Sequence, residues 1–384
     1  MDFLKEAQAN SAWIIGQRRW LHRHPEHGNQ EFETSEHICQ VLTELGMEPK
    51  RLLETAVVAD LVGGKPGPII GLRADMDALP VQENTGLDFA SENSGMMHAC
   101  GHDMHMAAVL GAAKLLAAHR DELPGTVRFF FQPDEETDGG AQRMIAAGCM
   151  EGVSQVYGAH VRQELPVGSI GICPGPYYAG SNPFKITLRG KASHGAEPHN
   201  GADTIMAGVQ IVNDIQTIVT RRMAPTEHAV ITVGTFHAGT QNNIRAREAV
   251  LEGIMRTFGE ENRRFLVKTL RDIVEGTAKT MGVEAEVEII WSHPGVVNHK
   301  ESAELVRHAV EKVLGPGRAV DDKPGMVSED FGYFILNNPG CFYHIGVGGP
   351  AGLHPDKFCP EEWPLADAAA VHAQVIWDAL ERAK

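Results

Sequence analysis

Three clusters of side chains in this sequence are dense enough in reactive groups to do chemistry. The first is His98-Ala99-Cys100-Gly101-His102-Asp103. Cys100 and His102 stand two apart, so on an extended loop a thiolate and an imidazole can face one point. That pairing suits zinc and other transition metals. Read singly, Cys100 is a buried thiol and Asp103 a helix cap; read together, the six residues point to a metal. His105, a helical turn further on, reads as packing. The second cluster is Phe129-Phe130-Phe131-Gln132-Pro133-Asp134-Glu135-Glu136, a strand that runs into three carboxylates. Adjacent carboxylates repel and are costly without a cation nearby. Neighbours on an extended chain point to opposite sides, so one glutamate can bind metal while the other faces a substrate as a general base. The third is Gly71-Leu72-Arg73-Ala74-Asp75-Met76-Asp77-Ala78-Leu79, in which Asp75 and Asp77 share a side at a strand end. They read equally well as turn caps, and Asp77 alternatively as a carboxylate that orients a metal-bound His.

Two further histidines stand alone. His160 follows a strand over Val153–Gly158, and His354 sits in a glycine-rich loop that begins at Gly346. A lone His more often packs than ligates, but both of these follow strand ends, as the other candidates do.

Positioning such groups takes a sheet. Val57–Val62, Ile69–Leu72, Val127–Phe131, Val153–Tyr157 and Cys341–Ile345 are short apolar runs bounded by turn residues, which predicts buried strands. Helical spacing is read over about Phe3–Arg23, Ser35–Leu45, Met104–Ala118, Gly140–Ala147, Glu301–Leu314 and Leu365–Lys384. Strand and helix alternate, so the prediction is an α/β unit with a mainly parallel sheet. Between residues 181 and 291 the order changes to strand Phe184–Arg189, helix Ala202–Arg222, strands His228–Phe236 and Glu248–Thr257, helix Glu260–Met281 and strand Val283–Trp291. That is a β-α-β-β-α-β order, the ferredoxin-like α+β topology. The expected organisation is one α/β domain from residues 1–180 and 292–384, with residues 181–291 inserted into it.

Composition narrows the function classes. Acidic side chains outnumber basic ones 50 to 34, for a formal charge of −16, which disfavours nucleic acid and anionic membrane as partners. The 19 histidines favour metal or proton chemistry. The six cysteines form no CxxC pair, and the N-terminus lacks the basic start and apolar core of a signal peptide. A soluble protein of the cytoplasm is expected.

Taken in order, LRADMDALP (72–80), HACGHDMH (98–105), FQPDEE (131–136), GAHV (158–161), SHGAEPHNGAD (193–203) and LHPDKF (353–358) resemble the metal-dependent aminoacylases and amidohydrolases related to hippurate hydrolase, indole-acetyl-amino-acid hydrolase and N-acetyl-diaminopimelate deacetylase. The resemblance runs from about Arg18 to the last helix. It implies a catalytic domain with two divalent metal ions (zinc, manganese, cobalt or nickel) and an inserted lid domain through which such proteins dimerise. Carried over, the metal ligands are Cys100, His102, Glu136, His160 and His354, the general base is Glu135, and Asp77 supports the site. In the lid, His194 polarises the scissile carbonyl, supplied in some relatives by a neighbouring subunit. Asn243 and Arg256 hold the substrate carboxylate; this chain reads Asn243-Ile244-Arg245 where many relatives read Asn-Val-Ile-Pro. The implied reaction is hydrolysis of a small N-acyl amino acid to a carboxylic acid and an amino acid. A dipeptidase or carboxypeptidase of the same clan is the alternative, and a non-catalytic metal-binding protein a more distant one.

Overall fold

The apolar runs become the strands of two separate sheets in the computed structural model, which describes residues 1–137, 139–349, 352 and 354–383. Leu353 of the LHPDKF motif, Pro350 and Ala351 of the glycine-rich loop, and Lys384 lie outside the described residues. The chain divides into two compact units, one of Met1–Gly175, Val297–Lys323 and Asp330–Lys384, the other of Pro176–Val296 and Pro324–Glu329. The short return of Pro324–Glu329 is bound to the second unit by backbone hydrogen bonds: Gly325 N donates to Tyr177 O at 2.8 Å, and Ala179 N donates to Val327 O at 3.0 Å.

In the first unit, eight strands lie in the order Lys50–Arg51, Val57–Val62, Pro124–Gln132, Lys65–Asp75, Val153–Arg162, Gly340–Gly346, Ile170–Ile172 and Ala319–Asp321. The pairings of Lys65–Asp75 with Pro124–Gln132 and with Val153–Arg162 are parallel, as is that of Val153–Arg162 with Gly340–Gly346. Carboxyl ends of parallel strands therefore gather at one edge, the usual place for a site in such sheets. Phe129, Phe130 and Phe131 are all fully buried, because helices or loops cover both faces there. Each contributes roughly 1.5–3 kcal/mol by leaving water. The helix His102–Ala118 is apolar almost all round and packs against Pro364–Arg382, which is buried along nearly its whole length. No helix of the described residues is long and apolar enough to cross a membrane.

Several boundaries differ by a few residues from those read in the sequence, and two of the differences bear on the site and the N-terminal helices. The first helix breaks at Asn10 into Phe3–Ala9 and Ser11–Arg23, because the Asn10 amide turns back to cap the first segment. The strand predicted to end at Gly158 runs to Arg162, so His160 lies within it rather than after it. Its backbone pairs with His344 of Gly340–Gly346, and that ladder carries the strand onward.

In the second unit, the strands Gly180–Arg189, Ala229–Ala238, Glu248–Thr257 and Glu284–Ile289 form an antiparallel sheet in spatial order fourth, first, third, second. With helices Thr204–Thr217 and Glu260–Met281 this is the expected ferredoxin-like arrangement. Phe184, Ile186 and Leu188 point into its core, while Glu284, Glu286 and Glu288 face water.

A buried charge network ties the N-terminal helices to the first unit. Arg18 Nε donates to Asp103 Oδ2 at 3.0 Å, His22 Nδ1 lies 2.9 Å from the same oxygen, and His22 Nε2 is 3.4 Å from Glu83 Oε1. Asp103 therefore pairs with cations and does not cap its helix. Burial opposes a charge on His22, but Asp103 and Glu83 outweigh it and raise the imidazole to about 9. A folded pKa above the unfolded 6.5 stabilises fully below pH 6.5, and the contribution is lost as pH rises through about 9. Urea unfolding is expected to show a loss on the order of 3 kcal/mol across that window, and His22→Gln should remove this slope. Parallel curves for the two proteins would refute the assignment.

Candidate metal centre

Cys100 and His102 reach one point because of the residue between them. Gly101 has φ +89° and starts the helix His102–Ala118. A Cβ there would strain that backbone and lie 2.5 Å from Val161 Cγ2, so only glycine fits the corner. The corner sets the Cys100 thiol and the His102 ring beside the strand that carries His160.

Ligating atoms of Cys100, His102 and His160 lie within 4.8 Å of one another, as do those of Cys100, Glu136 and His354, and those of His102, Glu135 and Glu136. Cys100 Sγ is 3.3 Å from His160 Nε2, and Glu136 Oε1 is 3.3 Å from His354 Nε2 and 3.9 Å from His102 Nε2. All six residues thus converge.

The donors are prepared for a cation. His102 Nδ1 donates to Asp77 O at 2.8 Å and His160 Nδ1 donates to Val161 O at 2.7 Å, so each ring turns its Nε2 lone pair inward. His102 Nε2 and Glu136 Oε1 are buried with no hydrogen-bond partner among the described residues. Buried polar atoms left so are rare unless a ligand satisfies them. Burial pushes the Cys100 thiol well above its ordinary value, so a cation is what would make it a thiolate. Burial also holds His160 well below its ordinary value, leaving the neutral ring a metal needs. At His102 burial opposes charge, but Asp75 and Asp77 outweigh it and raise the ring. Positive charge is therefore favoured at that spot. The residues present fit a metal.

Asp77 braces two of the donors. It accepts from the Glu136 amide through Oδ2 at 3.0 Å, and its Oδ1 lies 3.3 Å from His102 Nδ1. The glutamates do not divide to opposite sides as strand alternation predicts. The strand ends at Gln132, and Asp134 adopts φ +57°, a left-handed corner at which alternation no longer applies. Both glutamates then face the Cys–His cluster. His354 also has positive φ, +68°, and its amide is fixed to Ala99 O at 3.0 Å.

The second unit carries the remaining three candidates. His194 and Asn243 are exposed neighbours: His194 pairs with Ile244, and Gly195 N donates to Asn243 O at 2.8 Å. Arg256 is half-buried on Glu248–Thr257, with Nη1 3.5 Å from Met326 O, and burial lowers its pKa. Arg256 pairs with Ser181 at one end of the sheet and Glu248 with Arg189 at the other. Eight residues of strand, roughly 26 Å, separate Arg256 from Glu248, and Asn243 lies beyond Glu248 in the chain. One copy of the chain therefore does not bring Asn243 and Arg256 together.

The sequence profile described as "Peptidase family M20/M25/M40" matches residues 71–378, which span the whole metal cluster. The chain belongs to this family. It is 38% identical to an N-acetylcysteine deacetylase of Bacillus subtilis (strain 168) over 97% of this chain and 98% of the relative. It is also 38% identical to thermostable carboxypeptidase 1 of Saccharolobus solfataricus over 94% of each chain. A solved structure, a dinuclear metal binding M20 peptidase of Bacillus subtilis, is 37% identical with a TM-score of 0.88, covering 97% of this chain and 99% of that one.

Within this M20-family site, sequence reading passed over one group. His105 does more than pack. Val161 N donates to its Nε2 at 2.9 Å, so Nδ1 carries the hydrogen and donates to Asp75 Oδ1 at 2.6 Å. Both nitrogens are thereby occupied. Asp75 also accepts from Arg73 at 2.7 Å and stands 3.8 Å from His102 Nε2. Burial opposes charge on Asp75, but His102, His105 and Arg73 hold it well below the usual carboxylate range. The signal that could have found this was the (i, i+3) spacing of His102 and His105, which puts both on one helix face.

Proposed function

We infer that this protein hydrolyses the amide bond of N-acyl amino acids, releasing a carboxylic acid and an amino acid. The observation that carries the reading is the convergence of Cys100, His102, Glu136, His160 and His354 with a further glutamate, Glu135, beside them. Kinship with an N-acetylcysteine deacetylase points to the same bond.

Cys100, His102, Glu136, His160 and His354 would hold two divalent ions, and their mixed thiolate, imidazole and carboxylate donors suit zinc, manganese, cobalt or nickel. Such ions supply a Lewis acid for the carbonyl and acidify a water to a nucleophile at neutral pH. Asp77 fixes the His102 tautomer and the Glu136 backbone. Glu135 takes the proton of the attacking water and returns it to the leaving nitrogen. His194 steadies the oxygen of the scissile carbonyl, and Arg256 pairs with the α-carboxylate. Residues 1–180 and 292–384 are assigned the chemistry and residues 181–291 the substrate contacts. A cytoplasmic setting would keep Cys100 reduced and able to ligate.

If Asn243 and Arg256 hold one substrate carboxylate, their separation supports a homodimer. The strand Ala229–Ala238 is a sheet edge, and Ile205, Met206, Val209, Val230 and Ile244 expose apolar surface in the same unit. A second copy docked on that edge would cover it and would supply its own His194 and Asn243 to its neighbour's substrate.

Arg256→Ala is expected to raise KM about 10–100-fold for N-acyl amino acids and to leave their uncharged carboxamide analogues nearly unchanged. Equal effects on both series would take Arg256 out of carboxylate binding. The overall reading is tested by amine release from N-acetyl, N-benzoyl and indole-acetyl amino acids and from free dipeptides, after loading with each metal. Turnover of free dipeptides alone would favour the peptidase reading, which kinship with a carboxypeptidase supports.

A further inference from the structure

The left-handed corner at Asp134 is held from several sides. Arg143 Nη2 donates to Asp134 Oδ2 at 2.6 Å, Thr137 Oγ1 donates to Oδ1, and Gly140 N donates to the main-chain oxygen at 2.9 Å. Its amide donates to Glu31 Oε1 at 3.0 Å. Glu31 comes from a distant stretch of chain, is fully buried, and accepts from Thr55 Oγ1 at 2.8 Å through its other oxygen. Burial pushes Glu31 up to about 7, an expensive place to keep a carboxyl group. The chain approaches the corner so closely that a Cβ on Gly28 would lie 2.3 Å from Asp134 Oδ1. Strained backbone that persists because its surroundings over-determine it is characteristic of functional sites.

We propose that Glu31 is a positioning residue for Glu135: by accepting the Asp134 amide hydrogen it holds the left-handed corner that aims the general base. This rests on the amidohydrolase reading of the site. Glu136 has a separate anchor, its amide bond to Asp77, so loosening the corner should cost turnover before it costs metal.

The test uses the full chain with Glu31→Leu, Glu31→Gln and Gly28→Ala. Glutamine keeps an acceptor for Asp134 and can donate to Thr55, whereas leucine does neither. Glu31→Leu is expected to lower kcat roughly 30- to 100-fold with KM and bound metal close to wild type, since misplacing a reacting group by about 1 Å can cost 100-fold. Glu31→Gln should stay within about fivefold of wild type. Gly28→Ala, which presses on the corner without touching Glu31, should resemble Glu31→Leu and decides the matter if the leucine variant does not fold. Wild-type kcat in Glu31→Leu or in Gly28→Ala, or a Gln variant as poor as Leu, would overturn the proposal. The crystal structure of a variant gives an answer that does not depend on turnover. Asp134 outside the left-handed region in Glu31→Leu or Gly28→Ala supports the proposal, and an unmoved corner overturns it. If wild type itself hydrolyses nothing, the functional reading has failed and this structural comparison still decides the role of Glu31.

Discussion

Glu135→Ala is expected to keep bound metal and to lose about 100- to 10,000-fold in kcat, the range that a positioned general acid–base group contributes. The separation of the two effects comes from the geometry. The proposed ligands are Cys100, His102, Glu136, His160 and His354, and Glu136 keeps its amide bond to Asp77 whatever stands at 135. Removing Glu135 should therefore leave those donors in place and take away the group proposed to move the proton. Amine-release kinetics on the preferred N-acyl amino acid, beside metal analysis of the same preparations, checks both halves. Near-wild-type turnover would remove Glu135 from the base role. Loss of metal in step with turnover would recast it as a ligand.

Of the candidate donors, Cys100, His102 and Glu136 were legible in the sequence because they sit in short motifs whose chemistry is local, whereas His160 and His354 entered the set through the family resemblance. Cys100 and His102 are two apart, and Glu135 and Glu136 are adjacent. For Cys100 and His102 spacing alone says they can meet one partner; for Glu135 and Glu136 it predicts opposite sides, and the left-handed corner at Asp134 overrides it. The ferredoxin-like order was legible for a similar reason, since period-2 and period-3.6 patterns report local structure. The strand boundaries near His160 were less so, because the extension to Arg162 depends on a parallel neighbour almost two hundred residues away.

What the sequence concealed depends on contacts between distant segments. Nothing near Asp134 announces a left-handed backbone, although Asp tolerates one better than most residues. The corner is made by Glu31, Thr137 and Arg143 together. The roles of His105 and Asp75 were hidden in the same way. His105 is fixed by an amide on one strand and a carboxylate on another, and only the parallel sheet brings the two together. The distance between Asn243 and Arg256 likewise follows from the antiparallel register, which motif matching does not see.

Arg73→Met is expected to destabilise the first unit by about 3–5 kcal/mol, the usual cost of stranding a buried charge. Arg73 is itself buried and serves two carboxylates: Nη1 donates to Asp75 Oδ2 at 2.7 Å and Nη2 to Asp330 Oδ1 at 2.9 Å. Gln132 closes the network, accepting from Arg73 Nε at 2.9 Å and donating to Asp330 Oδ2 at 2.6 Å. Burial already pushes Asp330 up to about 6 despite the guanidinium, so without Arg73 that group has every reason to hold a proton. Asp75 is different, because its charge is what favours positive charge at His102. Arg73→Met/Asp330→Leu should therefore recover part of the stability, since it removes one stranded carboxylate, but should not recover metal affinity, since Asp75 is still unsupported. Arg73→Lys should recover little, because a single ammonium cannot reproduce the forked geometry that serves both partners and Gln132. Urea unfolding of metal-free protein measures the first quantity and chelator competition the second. A loss below about 1 kcal/mol in Arg73→Met would mean that water reaches these carboxylates, and full recovery of metal affinity in the double variant would mean that Asp75 contributes nothing to the field at His102.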